Sequence, residues 1–336
     1  MILITGATGF LGHNLVPMLV QAGYAVRALV RPTSNTDFLE ALGVELVFTD
    51  DIANQTAVQE ACQGCNQVIH AAGLFRFWGE PDEFWQTNVE GTTAVLNTAL
   101  AHNVKRFIYI STIAVVGTTP AQEVIDENTV CRPQEPYQLS KLEAETRVLA
   151  YGQEGLPVIV LRPGAFYGPW GRYAFNRLFF EEPLHGWRIR VDGGKHITFP
   201  VFVPDVAQGI MLALDKGKLG EIYNISGRSM THNEVNNIVS DLTGIGHWRM
   251  NIPSSMVVAL ARAWTALSHF THKEPFYPIN MAPYVFQDWH ISTAKAEKEL
   301  GFAPTPFEKG ACQTLKWYKE QRILKLRRFK EAEIGD

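Results

Sequence analysis

Short apolar runs alternate with helix-patterned stretches through the first half of the chain, and this alternation constrains the fold more than any other feature. The runs are ILIT (2–5), AVRALV (25–30), VELVFT (44–49), QVIHAA (67–72), RFIYIS (106–111) and PVIVLRP (157–163). Helical patterns lie between them, near 11–22, 35–42, 54–62, 82–102 and 137–153. Nearly continuous apolar runs mark strands covered on both faces. Strand–helix–strand units at this spacing predict right-handed crossovers and an α/β fold with a doubly wound parallel sheet.

The pattern breaks after Pro163. Residues 164–200 are rich in Gly, Pro and aromatics, and then a helix near 203–215 and the run IYNIS (222–226) read as a return to the sheet. The expected division is a dinucleotide-binding domain over 1–163, with returns near 201–226 and 280–292. A smaller, interleaved substrate domain then takes 164–200 plus 227–336.

Composition narrows the class. The 336 residues are 46% hydrophobic and 19% charged, as in a soluble globular protein. A net charge of −4 gives no basic excess for nucleic acid. Cys62, Cys65, Cys131 and Cys312 are too few and too scattered for a disulfide framework. The C-x-x-C at 62–65 has no second pair or histidine set beside it and reads as a packed turn. The ten histidines show no metal-ligand spacing, and no G-x-S-x-G is present. Without a signal peptide or an apolar run of membrane-spanning length, a cytoplasmic protein is expected.

The stretch TGATGFLG (5–12) follows the first strand and opens the first helix. Gly6, Gly9 and Gly12 permit a tight turn, close backbone approach to a phosphate, and close helix–strand packing. The helix N-terminus then offers free N–H groups to a pyrophosphate, which makes Gly6, Thr8, Gly9, Phe10, Leu11 and Gly12 candidate cofactor contacts and implies a Rossmann-type sheet. A carboxylate at the end of the second strand would hold the ribose of NAD. Arg31 stands there instead, and its guanidinium fork suits a 2′-phosphate. NADP(H) is therefore expected, with NAD(H) as the alternative; Arg27, four residues earlier, is expected to point elsewhere. Asp51, beside Ile52, is either an acceptor for the adenine amine or a helix N-cap.

These pieces together resemble the extended short-chain dehydrogenase/reductase family, also called the NAD-dependent epimerase/dehydratase family. Its signs are TGATGFLG (5–12), HAAG (70–73), NVEGT (88–92), YISTIAVVG (109–117), YQLSK (137–141), LRPGAFYGP (161–169) and FVPDVA (202–207). The resemblance implies that Tyr137 is the acid/base and that Lys141, one helical turn on, places a cation near it. Such a cation should favour the phenolate and lower the tyrosine pKa. Thr112 aligns with the family's catalytic hydroxyl, with Ser111 as runner-up. Ala71, Ala72 and Gly73, then Pro163 and Gly164, border the cofactor. Asn88 lies near the cofactor or serves helix packing. The resemblance also implies a homodimer through the helices bearing Asn88 and Tyr137.

Departures from the family pattern narrow the reaction. Sugar-nucleotide dehydratases carry Asp-Glu after the catalytic threonine, where this chain has Ile113 and Ala114. Many epimerases have tyrosine where Val116 stands. VRALVRPTSN (26–35) and DWHISTAKAEKELGF (288–302) look most like the dihydroflavonol-reductase and 3β-hydroxysteroid-dehydrogenase branch, which implies a small hydrophobic ketone, aldehyde or alcohol. Leu74, Phe75, Phe77, Trp78, Phe166, Tyr167, Trp170, Tyr173 and Phe175 are candidate pocket residues. The alternative is an NAD-dependent nucleotide-sugar epimerase, for which Arg172, Arg177, Arg188, Arg190 and Lys195 could supply cations. The apolar positions of 254–270 recur at helical spacing; burial is expected there, with a lid or an interfacial membrane helix as alternatives. KLRRFK (325–330) is expected to be solvated, weak membrane-surface attraction being the lesser reading.

Overall fold

The computed structural model describes residues 1–120, 122–271, 273–324 and Phe329. Seven strands form one parallel sheet: β1 (Ile2–Thr5), β2 (Val26–Val30), β3 (Glu45–Phe48), β4 (Gln67–His70), β5 (Arg106–Ile110), β6 (Val158–Pro163) and β7 (Ile222–Ile225). Their spatial order is β7-β6-β5-β4-β1-β2-β3. The order reverses between β1 and β4, and ligands of such sheets bind in the crevice at that point, outside the carboxyl ends of the strands.

Helices cover both faces because every strand alternates two apolar sets. The first six helices are α1 (Phe10–Gln21), α2 (Asp37–Ala41), α3 (Gln55–Cys62), α4 (Pro81–Trp85), α5 (Gly91–Ala101) and α6 (Pro136–Gln153). Ile2 and Ile4 of β1 pack with Leu15 and Leu19 of α1 and with Ile210 of the helix Val203–Lys216. Leu3, one residue out of phase, packs on the other face with Val58 of α3, Val95 of α5 and Val148 of α6. The single helix expected near 82–102 is divided: a π turn, Gln86–Glu90, separates α4 from α5. π turns recur at functional sites, and this one carries Asn88.

Beyond Gly164 the chain builds a second core around Tyr167, Phe175, Phe180, Phe202, Phe307 and Tyr318. It also returns to the first: Ala296 and Leu300 of the helix Ala294–Leu300 share the cluster of β1 and α1. Three of the aromatics expected to line a pocket are structural. Tyr167 and Phe175 fill the second core, and Phe166 packs edge-on against Phe10. Trp170 stacks on His13, with ring centroids 4.1 Å apart.

The helix Ser254–Thr271 departs from expectation. Met256, Leu260, Trp264, Leu267 and Phe270 are exposed, while Ala261 and Ser268 are buried. Its buried side chains are small, while Val257, Leu260 and Trp264 line a cavity and Trp264 meets Phe276. The segment 325–330, Phe329 apart, lies outside the described residues. Among the described residues no helix is long and apolar enough to cross a membrane.

Leu15 is fully buried between α1 and the sheet. Leu15→Ala should lower stability by about 2–5 kcal/mol, because the cavity adds to the lost transfer energy. A urea midpoint that shifts at constant slope would verify this.

Candidate active site

The glycine turn lies at the switch point and its glycines are not equivalent. Gly6 has φ +78°, and a Cβ there would meet the Ala71 carbonyl and Ala72 nitrogen at 2.8 Å. A Cβ on Gly12 would lie 1.9 Å from the Ala7 oxygen. These two are required by backbone packing of β1, α1 and the end of β4. Gly9 is the N-cap of α1 and provides no side-chain cap, so the first turn of the helix keeps its N–H groups for another partner. A Cβ on Gly73 would project to 3.3 Å from Asn88 Oδ1 and 3.9 Å from Lys141 Nζ. Glycine there keeps open the space between the β4 loop and α6. This bare cradle fits a dinucleotide. Gly164 differs: its Cβ would strike the Phe199 oxygen and Ser226 Oγ, so packing within the protein accounts for it.

Arg31 is exposed at the end of β2, where the chain turns back through Ser34 N–H to the Arg31 carbonyl (3.0 Å). Thr8 Oγ1 donates to Ser34 Oγ at 3.4 Å, which ties this loop to the glycine turn. Arg27 points elsewhere, to Glu45 at 2.9 Å and to the Ala61 carbonyl. Asp51 does not cap α3; Asn54 does, accepting from Ala57 N–H. The Asp51 carboxylate accepts from Ala53 N–H and Gln86 Nε2, and Ile52 packs where a Cβ on Gly91 would intrude.

Tyr137 and Lys141 lie on the first turns of α6, started by Pro136. Lys141 is only 4% exposed; its Nζ donates to the Ile110 carbonyl at 2.7 Å and lies 4.3 Å from the centre of the Tyr109 ring. Burial pushes its pKa down to about 7, against the opposing pull of Glu145. Burial raises the Tyr137 phenol above its ordinary value, opposed by the Thr112 hydroxyl beside it. The expectation that Lys141 would lower the tyrosine is therefore corrected: burial is the largest influence on both groups, and Thr112, not Lys141, opposes it at the phenol. Ser111 and Thr112 have divided roles. Ser111 Oγ donates to Glu145 at 2.6 Å, and Arg162 Nε holds the same carboxylate at 3.1 Å. That buried pair takes Ser111 away from Tyr137 and leaves Thr112 next to it.

Asn88 fastens the wall. Its Oδ1 accepts from Leu74 N–H (2.7 Å), and its Nδ2 donates to the Leu74 carbonyl (3.1 Å) and to Ser140 Oγ (2.9 Å). Behind it runs a buried relay. Ala72 N–H donates to Thr5 Oγ1, which bonds His70 Nδ1 at 2.7 Å; His70 Nε2 bonds Thr92 Oγ1 at 2.9 Å; Thr92 Oγ1 donates to the Asn88 carbonyl at 2.6 Å. Because the Thr92 proton goes to that carbonyl, His70 carries its proton on Nε2 and accepts on Nδ1. Burial, and then Lys141, push its pKa down to about 3, so it is neutral.

Aromatic rings enclose the tyrosine. Phe75 meets the Tyr137 ring edge-on at 4.8 Å, and Phe77 stacks on Tyr173 and meets Tyr284 edge-on at 5.2 Å. Trp78 Nε1 donates to Ser268 Oγ on the distant helix Ser254–Thr271. Glu135, 6% exposed, lies two residues before Tyr137, and burial raises its carboxyl to about 8. Sequence reasoning missed Glu135 and Tyr284. Neither sits in a spacing motif, and Tyr284 arrives only through tertiary folding. A separate cavity of ≈ 150 Å³ is lined by Phe179, Ile189, Val257, Ala261, Met281 and Val285 together with Glu182, Arg190, His232 and Asn236.

The model of the NAD dependent epimerase/dehydratase family matches residues 2–226. The chain belongs to this family. It is 29% identical to sterol demethylase protein B of Methylococcus capsulatus over 332 residues, covering 96% of this chain and 99% of that one. It is 29% identical over 309 residues to a 4-hydroxy-2-methyl-3-oxo-4-farnesyl-3,4-dihydroquinoline-1-oxide ketoreductase of Stigmatella aurantiaca, covering 89% and 91%. The crystal structure of gox2253 superposes with a TM-score of 0.83 at 28% identity, over 97% of this chain and 99% of the other. Relatives also bear dehydratase names. The chain is thus an NAD(P)-dependent enzyme of the short-chain dehydrogenase/reductase type, acting on CH–OH or carbonyl groups.

The His70 pKa lies below its unfolded value of 6.5. Its stability contribution is complete above pH 6.5 and is lost as pH falls toward about 3. The wild type should lose stability on acidification across that window, by at most about 1.4 kcal/mol per pH unit from this group. His70→Gln should be less stable at neutral pH but show a shallower slope, checked by urea titrations at stepped pH.

Proposed function

We propose that this enzyme uses NADP(H) to interconvert a small hydrophobic ketone or aldehyde and its alcohol. The observation that carries the reading is the grouping of Thr112, Tyr137 and Lys141 under an aromatic wall of Phe75, Phe77, Tyr173 and Tyr284. Ile113 and Ala114 stand where elimination would need an acid/base pair. Arg31, Thr8 and Ser34 cluster at the rim where a 2′-phosphate would lie. Arg172 and Arg177 are spent on Glu181 and Glu182, which weakens the case for a nucleotide-sugar pyrophosphate. The farnesyl-bearing substrate in the name of the ketoreductase relative agrees with an apolar ligand.

When bound, the nicotinamide supplies the hydride. Tyr137, held as the phenol by burial, donates its proton to the carbonyl oxygen, and Thr112 orients that oxygen with a hydrogen bond. Protonated Lys141 stabilises the phenolate left behind. The aromatic wall excludes water and bounds an apolar substrate. A cofactor-binding part over 1–163 with returns near 201–226 and 280–292, and a substrate part over 164–200 plus 227–336, belong to the same reading. A homodimer through α4, α5 and α6 belongs to the same reading.

Consumption of NADPH against a panel of aromatic, terpenoid and aliphatic carbonyls tests the proposal. Tyr137→Phe should lose at least about 100-fold in turnover while still binding cofactor. Unchanged turnover would refute the assignment. Arg31→Ala should raise the KM for NADPH by about tenfold or more and leave that for NADH nearly unchanged. Reduction should slow as pH rises through about 7, where Lys141 loses its charge; a pH–rate profile reads this directly.

A further inference from the structure

Glu135 is the N-cap of α6, yet its side chain accepts no bond from the first turn of that helix. A carboxylate at a helix start is best placed toward those N–H groups. Here the side chain turns inward. It is buried, and its Oε1 has no hydrogen-bond partner among the described residues. Burial raises its carboxyl to about 8, and the Tyr284 hydroxyl opposes that rise; no cation is among the groups that act on it. An ionised carboxylate without a partner is costly in such a place, so Glu135 holds a proton at neutral pH.

Two more buried polar atoms lie with it. Gln138 of α6 accepts from Gln134 N–H through Oε1 at 3.1 Å and leaves Nε2 without a partner. Tyr284, in the helix Ala282–Phe286, leaves its hydroxyl without one. These groups face one another: burial raises the Tyr284 phenol, Glu135 and Tyr137 raise it further, and Gln138 opposes them. Beyond burial and the opposing Thr112 hydroxyl, the group that acts on Tyr137 is Glu135. Tyr284 is held in place. Its ring stacks on Trp289 at 6.4 Å and packs with Ile113 and Val116, which follow Thr112, and Gln287 donates to the Gly117 carbonyl at 2.9 Å. A purely structural cluster would close its own hydrogen bonds, as Asn88 does with Leu74 and Ser140. This one leaves an acid, an amide and a phenol open beside Tyr137.

We infer that Glu135 is the proton reservoir that recharges Tyr137 after each reduction, with Tyr284 as the carrier between them. The inference rests on the carbonyl-reductase reading, in which Tyr137 is left as phenolate once its proton has gone to the carbonyl oxygen. Lys141 cannot refill it without losing the charge that stabilises that phenolate. In the recharging step the Tyr284 O–H bond breaks and its proton passes to the Tyr137 oxygen. The Glu135 O–H bond breaks in turn, and its proton replaces the one Tyr284 gave. Both phenols end as they began. Glu135 ends as a carboxylate, to which Gln138 Nε2 donates, and it takes a proton from solvent before the next cycle. With the hydride counted, one proton is drawn from water for each carbonyl reduced.

Stopped-flow measurement of NADPH oxidation separates the first turnover from those that follow, with 4-nitrobenzaldehyde or the fastest carbonyl of the panel as substrate. Glu135→Gln keeps the shape of the side chain and removes its proton. Its first turnover should run at the wild-type rate and later ones at least about tenfold slower, which gives a burst of one NADPH per active site. Tyr284→Phe, which keeps the ring, should also slow the later turnovers. In the infrared, the resting wild type at neutral pH should show a carboxylic-acid C=O band that Glu135→Gln removes. First and later turnovers slowed alike would make Glu135 a part of the wall only and overturn the inference. So would later turnovers that keep their rate, or the lack of that band. If Glu135→Gln fails to fold, the wild-type band and the Tyr284→Phe kinetics decide. A wild type that reduces no carbonyl would overturn the carbonyl reading instead, and the band alone would then decide whether Glu135 holds a proton.

Discussion

A parallel sheet buried on both faces leaves only its strand ends for chemistry. Here every loop that could hold a ligand leaves the carboxyl end of a strand: Gly6 after β1, Arg31 after β2, Ala71 to Gly73 after β4, Thr112 after β5. The helix α6 brings Tyr137 and Lys141 over that edge. Its position is fixed from below by the buried pair of Glu145 and Arg162, which joins α6 to β6 and takes the Ser111 hydroxyl at the end of β5. A desolvated pair of this kind is costly to break from one side, so it holds helix and strands in one relative position. The site is thus a by-product of covering the sheet.

Much of this was legible in sequence because it depends on local chemistry. Strand runs, the glycine turn and the Tyr137–Lys141 spacing each follow from backbone geometry over a few residues. Neighbouring side chains on a strand face opposite ways, as Ser111 and Thr112 do. What escaped depends on tertiary contact. Asp51 and Asn54 are both good N-cap residues three apart, and only the folded chain selects Asn54. Phe166, Tyr167 and Phe175 look like pocket aromatics in sequence, but the second core needs them. The apolar helix Ser254–Thr271 has the pattern of a buried helix, and nothing local records that its large apolar side chains stay exposed.

The electrostatics of the pair also had to be weighed in three dimensions. Spacing shows that an ammonium can approach the phenol, but not that both groups are shut away from water. Shutting them away favours the neutral form of each, so the resting pair is biased toward phenol and toward a readily deprotonated amine. That bias suits delivery of a proton more than its removal. Glu135, lifted by the same burial, keeps a third proton within the same apolar surroundings.

The relay through Thr5, His70 and Thr92 has a direction. Each hydroxyl has one proton to give, so the backbone N–H of Ala72 at one end and the carbonyl of Asn88 at the other set every bond between them. No member can be exchanged alone without stranding a neighbour in the dry interior. These three positions, spread over nearly ninety residues, therefore form a single heritable unit. Among relatives they should change in concert or not at all, with an all-apolar trio as the simplest substitute.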